Sequence, residues 1–258
     1  MIESYHSNIT NTPMQIRTAG TVIFLWVLCG TLRWCSAESL TTLPRFFTAD
    51  YSLHSMGARI AVMHRSFSAL SNGGYLYHSE TRAAGLLALI RNDIVTESSE
   101  WQFDGVEIKP VNYNYRHDGN DTKRNVEIRF DWQEKMITTT VNGSSWQMRM
   151  KSRTMDKLLY QLAIMRDLSM GKKDISYSVA DGGQLKNYDF VSLGEERVQT
   201  PMGDFQAVKL ERFKPGSKRS TVLWCAPELE FLPIRVESVE IDGSTTTAVI
   251  ESLSVPGR

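Results

Sequence analysis

The chain has 258 residues, of which 41% are hydrophobic, and its 29 basic side chains equal its 29 acidic ones in number. A chain of this length can bury a sizeable core within one domain. The charge balance gives no electrostatic reason to expect nucleic acid as a partner, so composition excludes the strongly basic classes of binding protein.

The amino-terminal sequence "MQIRTAGTVIFLWVLCGTLRWCSAES" has the layout of a secretory signal peptide. Arg17 precedes an apolar run, residues 22–29, and the small Ala37 stands where cleavage would follow. We therefore predict that residues 1–37 form a signal peptide, in which the part before Met14 is an upstream extension and Met14 an alternative start. The apolar run is too short to span a bilayer, which takes about 20 residues. An uncleaved anchor is the alternative.

Export would leave a mature chain of residues 38–258 with Cys225 as its single cysteine, so no internal disulfide could form. Cys35 follows Arg33 and Trp34, which is an unsuitable setting for attaching a lipid. We therefore predict a periplasmic or secreted protein that is neither a lipoprotein nor integral to the membrane.

Most of the mature region alternates apolar and polar residues between turn signals, as expected for β-strands. Val126–Met150 predicts a three-stranded meander, because Val126, Ile128 and Phe130 share one face and Asn142-Gly143 suits a tight hairpin. Ten further strands are predicted at Tyr51–Ser55, Ala58–Ala69, Tyr75–Arg82, Ile94–Phe103, Val106–Arg116, Asp174–Ala180, Gln206–Phe213, Thr221–Ala226, Ile234–Ile241 and Thr245–Leu253. The apolar parity changes across Pro110, which predicts a bulge there and a strongly curved sheet.

One segment, "SRTMDKLLYQLAIMRDLSMGKK", has helical periodicity instead. Leu158, Leu162 and Met165 fall on one stripe and Asp156 suits the first turn, so we predict a helix at Met155–Met170. A lone apolar helix needs cover. The predicted fold is therefore mainly β, a strongly curved antiparallel sheet or open barrel of about ten or more strands wrapped around one main α-helix, in a single domain.

Candidate catalytic residues are sparse. The mature chain has four histidines, His54, His64, His78 and His117, and none lies in a nucleophile motif. Cys225 in "VLWCA" has the setting of a packed residue rather than a reactive thiolate. The sequence lacks the close His or Cys pairs that bind zinc or iron. We predict no catalytic residue, metal site or cofactor, and an enzyme would require two histidines to converge with a carboxylate in a cleft.

Two acidic pairs, Glu195-Glu196 and Glu228/Glu230, stand beside Gly or Pro and are predicted to lie in loops. The segment "RFKPGSKRS" concentrates basic residues around Pro215-Gly216. It could contact a lipid headgroup or an acidic partner, or it could be a basic hairpin tip that keeps a sheet edge soluble.

The apolar interior is the remaining candidate site. Met and Trp side chains pack adaptably and are common where a flexible apolar ligand binds, but they are also common in ordinary cores. The predicted ligand-binding residues are Trp132, Trp146, Met148, Met150, Leu158, Leu162 and Trp224.

Several motifs together resemble a bacterial exported family, domain of unknown function 3108. They are "TPMGDFQAVK", the Trp of "VLWCAPE", "LPIRVE", the helical "MDKLLYQLAIMRDL" and "GGYLYHSETRAAGLLALI". The resemblance covers Phe47 to Leu253 and implies a periplasmic or secreted protein with a strongly bent antiparallel sheet around little helix. It implies no catalytic residues. Such an architecture is also similar to that of periplasmic lipoprotein carriers and receptors, although shape alone does not fix function.

Three functions remain open from the sequence. The first is a noncatalytic envelope protein that binds an apolar ligand, such as a lipid or acyl chain, or a lipidated partner. The second is an envelope structural or assembly factor that binds another protein through its sheet face or edge. The third is a hydrolase of unrecognised type.

Overall fold

The computed structural model describes residues 43–119, 123–213, 216 and 218–257, so the predicted signal peptide lies outside the described residues. This part of the chain contains one α-helix, α1 (Tyr160–Ser169), and two 3-10 helices, Gly85–Leu89 and Pro227–Leu229. Its fifteen strands are β1 (Phe47–Ser55), β2 (Ala58–Ala69), β3 (Tyr75–Ala83), β4 (Ile94–Phe103), β5 (Ile108–Asp118), β6 (Lys123–Asp131), β7 (Met136–Val141), β8 (Ser144–Arg149), β9 (Thr154–Asp156), β10 (Ile175–Asp181), β11 (Gln184–Thr200), β12 (Gly203–Phe213), β13 (Ser220–Ala226), β14 (Leu232–Val239) and β15 (Thr245–Ser254).

The described strands form one sheet in the order β8-β7-β6-β5-β4-β3-β2-β1-β15-β14-β13-β12-β11-β10-β9. From β1 to β8 and from β10 to β15, each strand pairs antiparallel with the next, and β1 pairs with β15 so that Thr48 lies opposite Ser254. The short β9 pairs in parallel with β10. The predicted fold class is confirmed: the protein is mainly β, with a large curved sheet that ends at β8 and β9 without closing.

Bulges interrupt the pairing where the apolar parity changes. Trp101 of β4 lies opposite Pro110 of β5, whereas the preceding Glu100 lies opposite Asn112, so Val111 is an extra residue on β5. This confirms the bulge predicted beside Pro110. An extra residue bends its strand and increases the local twist, which helps the sheet to curve. The predicted hairpin at Asn142-Gly143 is also confirmed, since both residues have positive φ, 48° and 91°.

The sheet wraps around α1, as predicted. Every residue from Tyr160 to Asp167 is buried, which requires cover on all sides of the helix. Strands from distant parts of the sheet supply it: Arg65 of β2 donates to Gln161 Oε1 at 2.5 Å, and the ring of Phe190 in β11 stacks 5.8 Å from that of Tyr160. The helix thus holds the two flanks of the sheet together from inside.

The predicted start of the helix at Met155 is wrong. Thr154–Asp156 forms β9, and α1 begins only at Tyr160. The cause is Asp156, whose carboxylate accepts hydrogen bonds from the backbone N–H groups of Leu158 and Leu159 and so fixes the turn that precedes the helix. Met155 and Leu158 therefore share the apolar period of the helix without belonging to it.

The longest strand, β11, has no counterpart among the predicted strands, and the prediction that Glu195-Glu196 lie in a loop is wrong. Seven consecutive residues, 191–197, are exposed, so the alternation that reveals a half-buried strand is missing. A register shift between Ser192 and Glu195, next to Gly194 with its positive φ, disturbs the period further. Pairing with β12, rather than its own pattern, keeps this segment extended.

A contact across the opening of the sheet involves Trp146 of β8. A Cβ atom placed on Gly183, in the β10–β11 turn, would collide with the indole of Trp146, so this ring lies directly on the glycine backbone. The neighbouring Gly182 also has a positive φ, but a Cβ atom there would meet nothing within 4 Å. Trp146 thus joins the edge strand β8 to the far end of the sheet.

Gly183→Ala is expected to lower the free energy of unfolding by about 2 kcal/mol more than Gly182→Ala. In both variants alanine is strained by the positive φ, but only at position 183 does its Cβ atom displace Trp146. Urea denaturation of the two variants measures the difference. Equal losses would show that the indole does not pack on this turn.

Candidate ligand-binding cleft

A cleft of about 200 Å³ opens beside the carboxy-terminal half of α1, where the β4–β5 and β6–β7 turns approach it. We call it the helix cleft. Its lining residues are Val106, Glu107, Ile108, Trp132, Arg153, Met155, Ala163, Arg166, Asp167, Lys172 and Tyr177. Sites for drug-sized ligands usually measure roughly 300–1,000 Å³, so the helix cleft suits a smaller group or one end of a longer molecule.

Trp132 forms one wall of the helix cleft. Its indole Nε1 donates to the carbonyl oxygen of Pro110 at 2.7 Å, which fixes the ring next to the bulge in β5. The ammonium groups of Lys109 and Lys135 lie 5.7 and 5.4 Å from the ring centre. The indole therefore presents an apolar surface with positive charge around it.

Asp167 is a buried carboxylate on the helix side of the cleft, with its donors already in place. It accepts hydrogen bonds from Tyr177 Oη at 2.7 Å, from Lys172 Nζ at 2.8 Å and from Arg153 Nη2. Burial, followed by the nearby Asp167 charge, raises the pKa of Tyr177, so its hydroxyl remains a donor. Two cations thus compensate this carboxylate.

Arg166 precedes Asp167 in α1 and has no oppositely charged partner among the described residues. Its side chain is only 7% exposed, and its guanidinium carbon lies 5.0 Å from the centre of the Phe103 ring. Within the described part of the chain its Nε has no hydrogen-bond partner, and no carboxylate oxygen lies within 4.0 Å of its guanidinium nitrogens. A buried charge that lacks a counterion is costly, so an anion entering the helix cleft would gain a strong interaction.

At the other end of the helix, Asp156 is fully buried in a polar network. Its Oδ1 accepts the backbone N–H groups of Leu158 at 2.8 Å and Leu159 at 2.7 Å, and its Oδ2 accepts the hydroxyl of Ser99 at 2.5 Å. Burial raises the pKa of Asp156 to about 6, although these hydrogen bonds oppose the shift. Folding therefore favours the protonated form of this carboxyl.

The structure places the seven predicted ligand-binding residues in different surroundings. Trp132 lines the helix cleft, whereas Leu158 and Leu162, which are 1% and 0% exposed, lie in the packed core. Met148 and Met150 are half-buried and pack against that core from β8 and the residue after it. Trp146 contacts Gly183, as described above. Only Trp132 among the seven is a lining residue of the helix cleft.

Trp224 is buried among charged side chains of the neighbouring strands. Lys209 and Arg235 lie 5.0 and 4.7 Å from its ring centre, and its indole Nε1 donates to Glu196 at 3.2 Å. The residues on either side of it, Leu223 and Cys225, are fully buried. Burial raises the pKa of the Cys225 thiol, which keeps it protonated and unreactive.

None of the four histidines lines the helix cleft. His64 Nδ1 lies 2.7 Å from Asp50 and His117 Nε2 lies 3.5 Å from Asp93, each at the surface or partly exposed. His78 lies opposite Ser66 and Ser98 in the sheet. Over the described ranges, no group of three or more His, Cys, Asp or Glu side chains could hold a metal ion. None of the helices within these ranges has the length and apolar character needed to cross a membrane.

Arg166 was missed because it lies within an apolar helical segment, "YQLAIMRDLS", where a charged pair is expected to face solvent. The signal that could have revealed it is the absence of any exposed face: a helix that is apolar all round is buried, and its charged residues must be buried with it. Glu107 and Val106, in the β4–β5 turn, reach the cleft only through tertiary packing.

Comparison with solved structures places the fold among known ones. A β-barrel-like protein of domain of unknown function DUF1849 from Brucella abortus superposes with a TM-score of 0.57 at 9% identity, over 83% of this chain and 99% of that one. A candidate lipoprotein from Parabacteroides distasonis gives a TM-score of 0.34 at 12% identity over 82% and 97% of the two chains. A candidate exported protein with a YmcC-like fold from Bacteroides fragilis gives 0.31 at 11% over 83% and 100%.

No curated protein matches the chain in sequence. The profile of the family described as "Protein of unknown function (DUF3108)", by contrast, matches residues 50–250, which includes all fifteen strands except the first three residues of β1 and the last four of β15. This match confirms the resemblance found in the motifs, and the protein belongs to the DUF3108 family.

Proposed function

We propose that the protein is a noncatalytic binding module of the bacterial cell envelope and that the helix cleft holds an amphipathic anion. The observation that carries this proposal is Arg166, a buried cation without a counterion among the described residues, at the wall of an open cleft. Arginine binds carboxylate and phosphate groups through two parallel hydrogen bonds, which suits an acidic headgroup.

The other walls of the helix cleft support an apolar portion of the ligand. Trp132, Met155, Ile108 and Ala163 contribute aromatic and aliphatic surface on both sides of Arg166. A ligand with an acidic group and a short alkyl segment would satisfy both kinds of surface, whereas a fully apolar ligand would leave the guanidinium uncompensated. The predicted signal peptide supports an envelope location, where acidic amphiphiles are abundant.

Native mass spectrometry of the protein purified from its own envelope tests this proposal. We expect an adduct with the mass of an acidic, alkyl-bearing molecule in the wild type and its loss in Arg166→Gln. Arg197→Gln is the matched control, because Arg197 is exposed on β11 and pairs with Asp204 at 2.7 Å. It should retain the adduct.

Purified apoprotein can be titrated with octyl phosphate, octanoate and octanol. Saturable binding of an acid, but not of the alcohol, is expected. If only apoprotein is recovered and none of the three binds, or if octanol binds as well as the acids, the proposal is wrong.

A second function is favoured by one observation on β11. Its residues Gln184–Phe190 pair with β10, so the segment that continues to Thr200 has one edge without a partner strand in the described part of the chain. Val191 and Leu193 are about half exposed there. An envelope assembly factor could bind an extended segment of another protein at this edge. Crosslinking in intact cells that yields a reproducible partner, lost in Leu193→Pro, would support it.

A further inference from the structure

Five of the nine exposed large hydrophobic side chains in the described part of the chain lie on three connections between strands. Met56 in the β1–β2 turn is 98% exposed, Leu86 and Leu89 between β3 and β4 are 84% and 80% exposed, and Ile90 beside them is 72% exposed. Ile241, in the β14–β15 turn, is 61% exposed. Isolated exposed hydrophobic residues need no explanation, but a concentration on neighbouring loop tips does.

The pairing register places these turns at one end of the sheet. Ser55, at the end of β1, lies opposite Ala58 of β2 and Thr246 of β15, so the β1–β2 and β14–β15 turns are neighbours. The segment between β3 and β4 is held against the start of β2, where Ala84 N donates to Ile60 O at 2.9 Å. We call this set, Met56, Leu86, Leu89, Ile90 and Ile241, the apolar tips.

Basic residues flank the apolar tips on both sides. Next to the β14–β15 turn lies the β12–β13 loop with Lys218, since Ser220 pairs with Val239. On the other side lies the start of β6 with Lys123, since Asp118 pairs with both Ile94 and Lys123. The chain is neutral overall, and two exposed lysines thus lie at the same end as the apolar tips.

Arginines near the centre of this end are each paired with a carboxylate. Arg59 pairs with Glu251 at 3.1 Å, and Arg82 pairs with Glu80 at 2.6 Å. These pairs neutralise the two arginines, and aliphatic side chains project beside them. Asp242, in the same turn as Ile241, adds a carboxylate, so the positive charge available to a membrane comes from Lys218 and Lys123.

We propose that the apolar tips insert into an anionic phospholipid surface, with Lys218 and Lys123 at the headgroups. Aliphatic side chains on loop tips gain free energy on entering the acyl boundary, and each Lys near an anionic leaflet adds electrostatic attraction. A protein interface would instead call for an aromatic or arginine anchor surrounded by a polar rim, whereas the tips are Leu, Ile and Met. The helix cleft opens among the β4–β5 and β6–β7 turns, at the opposite end, so this surface is separate from the proposed anion site.

Cosedimentation of the full mature chain with vesicles tests the proposal. We expect binding to vesicles of phosphatidylethanolamine with 30% phosphatidylglycerol, weaker binding to neutral phosphatidylcholine, and a loss of binding as salt increases. Leu86→Ser/Leu89→Ser should weaken binding by at least about tenfold, because two aliphatic side chains that would enter the membrane are removed. Lys123→Gln/Lys218→Gln should weaken binding to the anionic vesicles only.

Leu193→Ser is the matched control, since Leu193 is half exposed in β11 away from the apolar tips, and it should bind as the wild type does. Leu86→Ser/Leu89→Ser should still bind octyl phosphate as the wild type does, which separates this surface from the helix cleft. Equal vesicle binding by Leu86→Ser/Leu89→Ser and the wild type, or no binding at all, would overturn the proposal. Crosslinking of the apolar tips to one protein, in the absence of vesicle binding, would overturn it in favour of a protein partner.

Discussion

Replacing Arg166 with methionine is expected to increase the free energy of unfolding by about 2 kcal/mol and, at the same time, to weaken binding of octyl phosphate at least about tenfold. Methionine fills similar volume without a charge. A residue that only stabilises the fold could not combine a gain in stability with a loss of octyl phosphate binding when it is replaced.

The expected gain in stability follows from comparing three contributions. Partial desolvation of the guanidinium, whose Nε is buried without a hydrogen-bond partner among the described residues, costs up to several kcal/mol. Its position near the end of α1 recovers about 0.3–1 kcal/mol from the helix dipole, and the Phe103 ring recovers about 0.5–2 kcal/mol. The cost is therefore larger than the compensation within the protein, and the remainder is what a bound anion would supply.

Urea denaturation and isothermal titration calorimetry measure the two effects. Arg153→Met is the control, because Arg153 is ion-paired with Asp167 and its removal should lower stability rather than raise it. If Arg166→Met also lowers stability, Arg166 is compensated within the fold. If it leaves octyl phosphate binding unchanged, Arg166 does not contact the ligand.

Asp156→Asn is expected to remove a dependence of stability on pH amounting to about 3 kcal/mol. In the wild type, the pKa of Asp156 is raised from 3.8 to about 6 in the folded state, so folding favours the protonated form. The contribution of Asp156 to the free energy of unfolding is then fully present below about pH 4, falls as pH rises from about 4 to about 6, and is lost above that. Asparagine has no proton to lose in this range, and its Oδ1 can still accept the two backbone N–H groups.

Urea denaturation of wild type and Asp156→Asn at pH 4 and pH 7 isolates this contribution. The stability of the variant minus that of the wild type should be about 3 kcal/mol larger at pH 7 than at pH 4, because all other groups titrate alike in both proteins. Asp156→Ala serves as the control: it also loses the charge but leaves the N–H groups of Leu158 and Leu159 without their acceptor. A stability difference that does not change with pH would show that Asp156 titrates normally.

The sheet could be predicted from the sequence wherever strands are half-buried. In β6, Val126, Ile128 and Phe130 alternate with polar residues, and the structure buries all three. In β11, residues 191–197 are exposed on both faces, so the sequence there shows no apolar alternation and the extended conformation depends on pairing with β12. The helix start was misplaced for a related reason, because Met155 and Leu158 are buried by the sheet and extend the apolar period beyond α1.

The candidate site was less accessible to sequence reasoning than the fold. Trp and Met residues were expected to line a ligand cavity. Most of them instead pack in or against the core, and Trp146 packs on Gly183. What distinguishes the helix cleft is the uneven pairing of adjacent residues: Asp167 has donors and Arg166 has no acceptor among the described residues. Pairing of this kind depends on which strands surround the helix, and no spacing along the chain encodes it.

The NMR signal of the Arg166 Nε–H group, followed while octyl phosphate is added, tests the anion site most directly. We expect this signal and that of the Trp132 indole to shift together and to saturate. The Nε signals of Arg65 and Arg235, two residues whose Nε atoms are also buried without a hydrogen-bond partner in the described structure, should stay in place. An unshifted Arg166 signal at saturating octyl phosphate would contradict the site, and so would equal shifts at all three arginines.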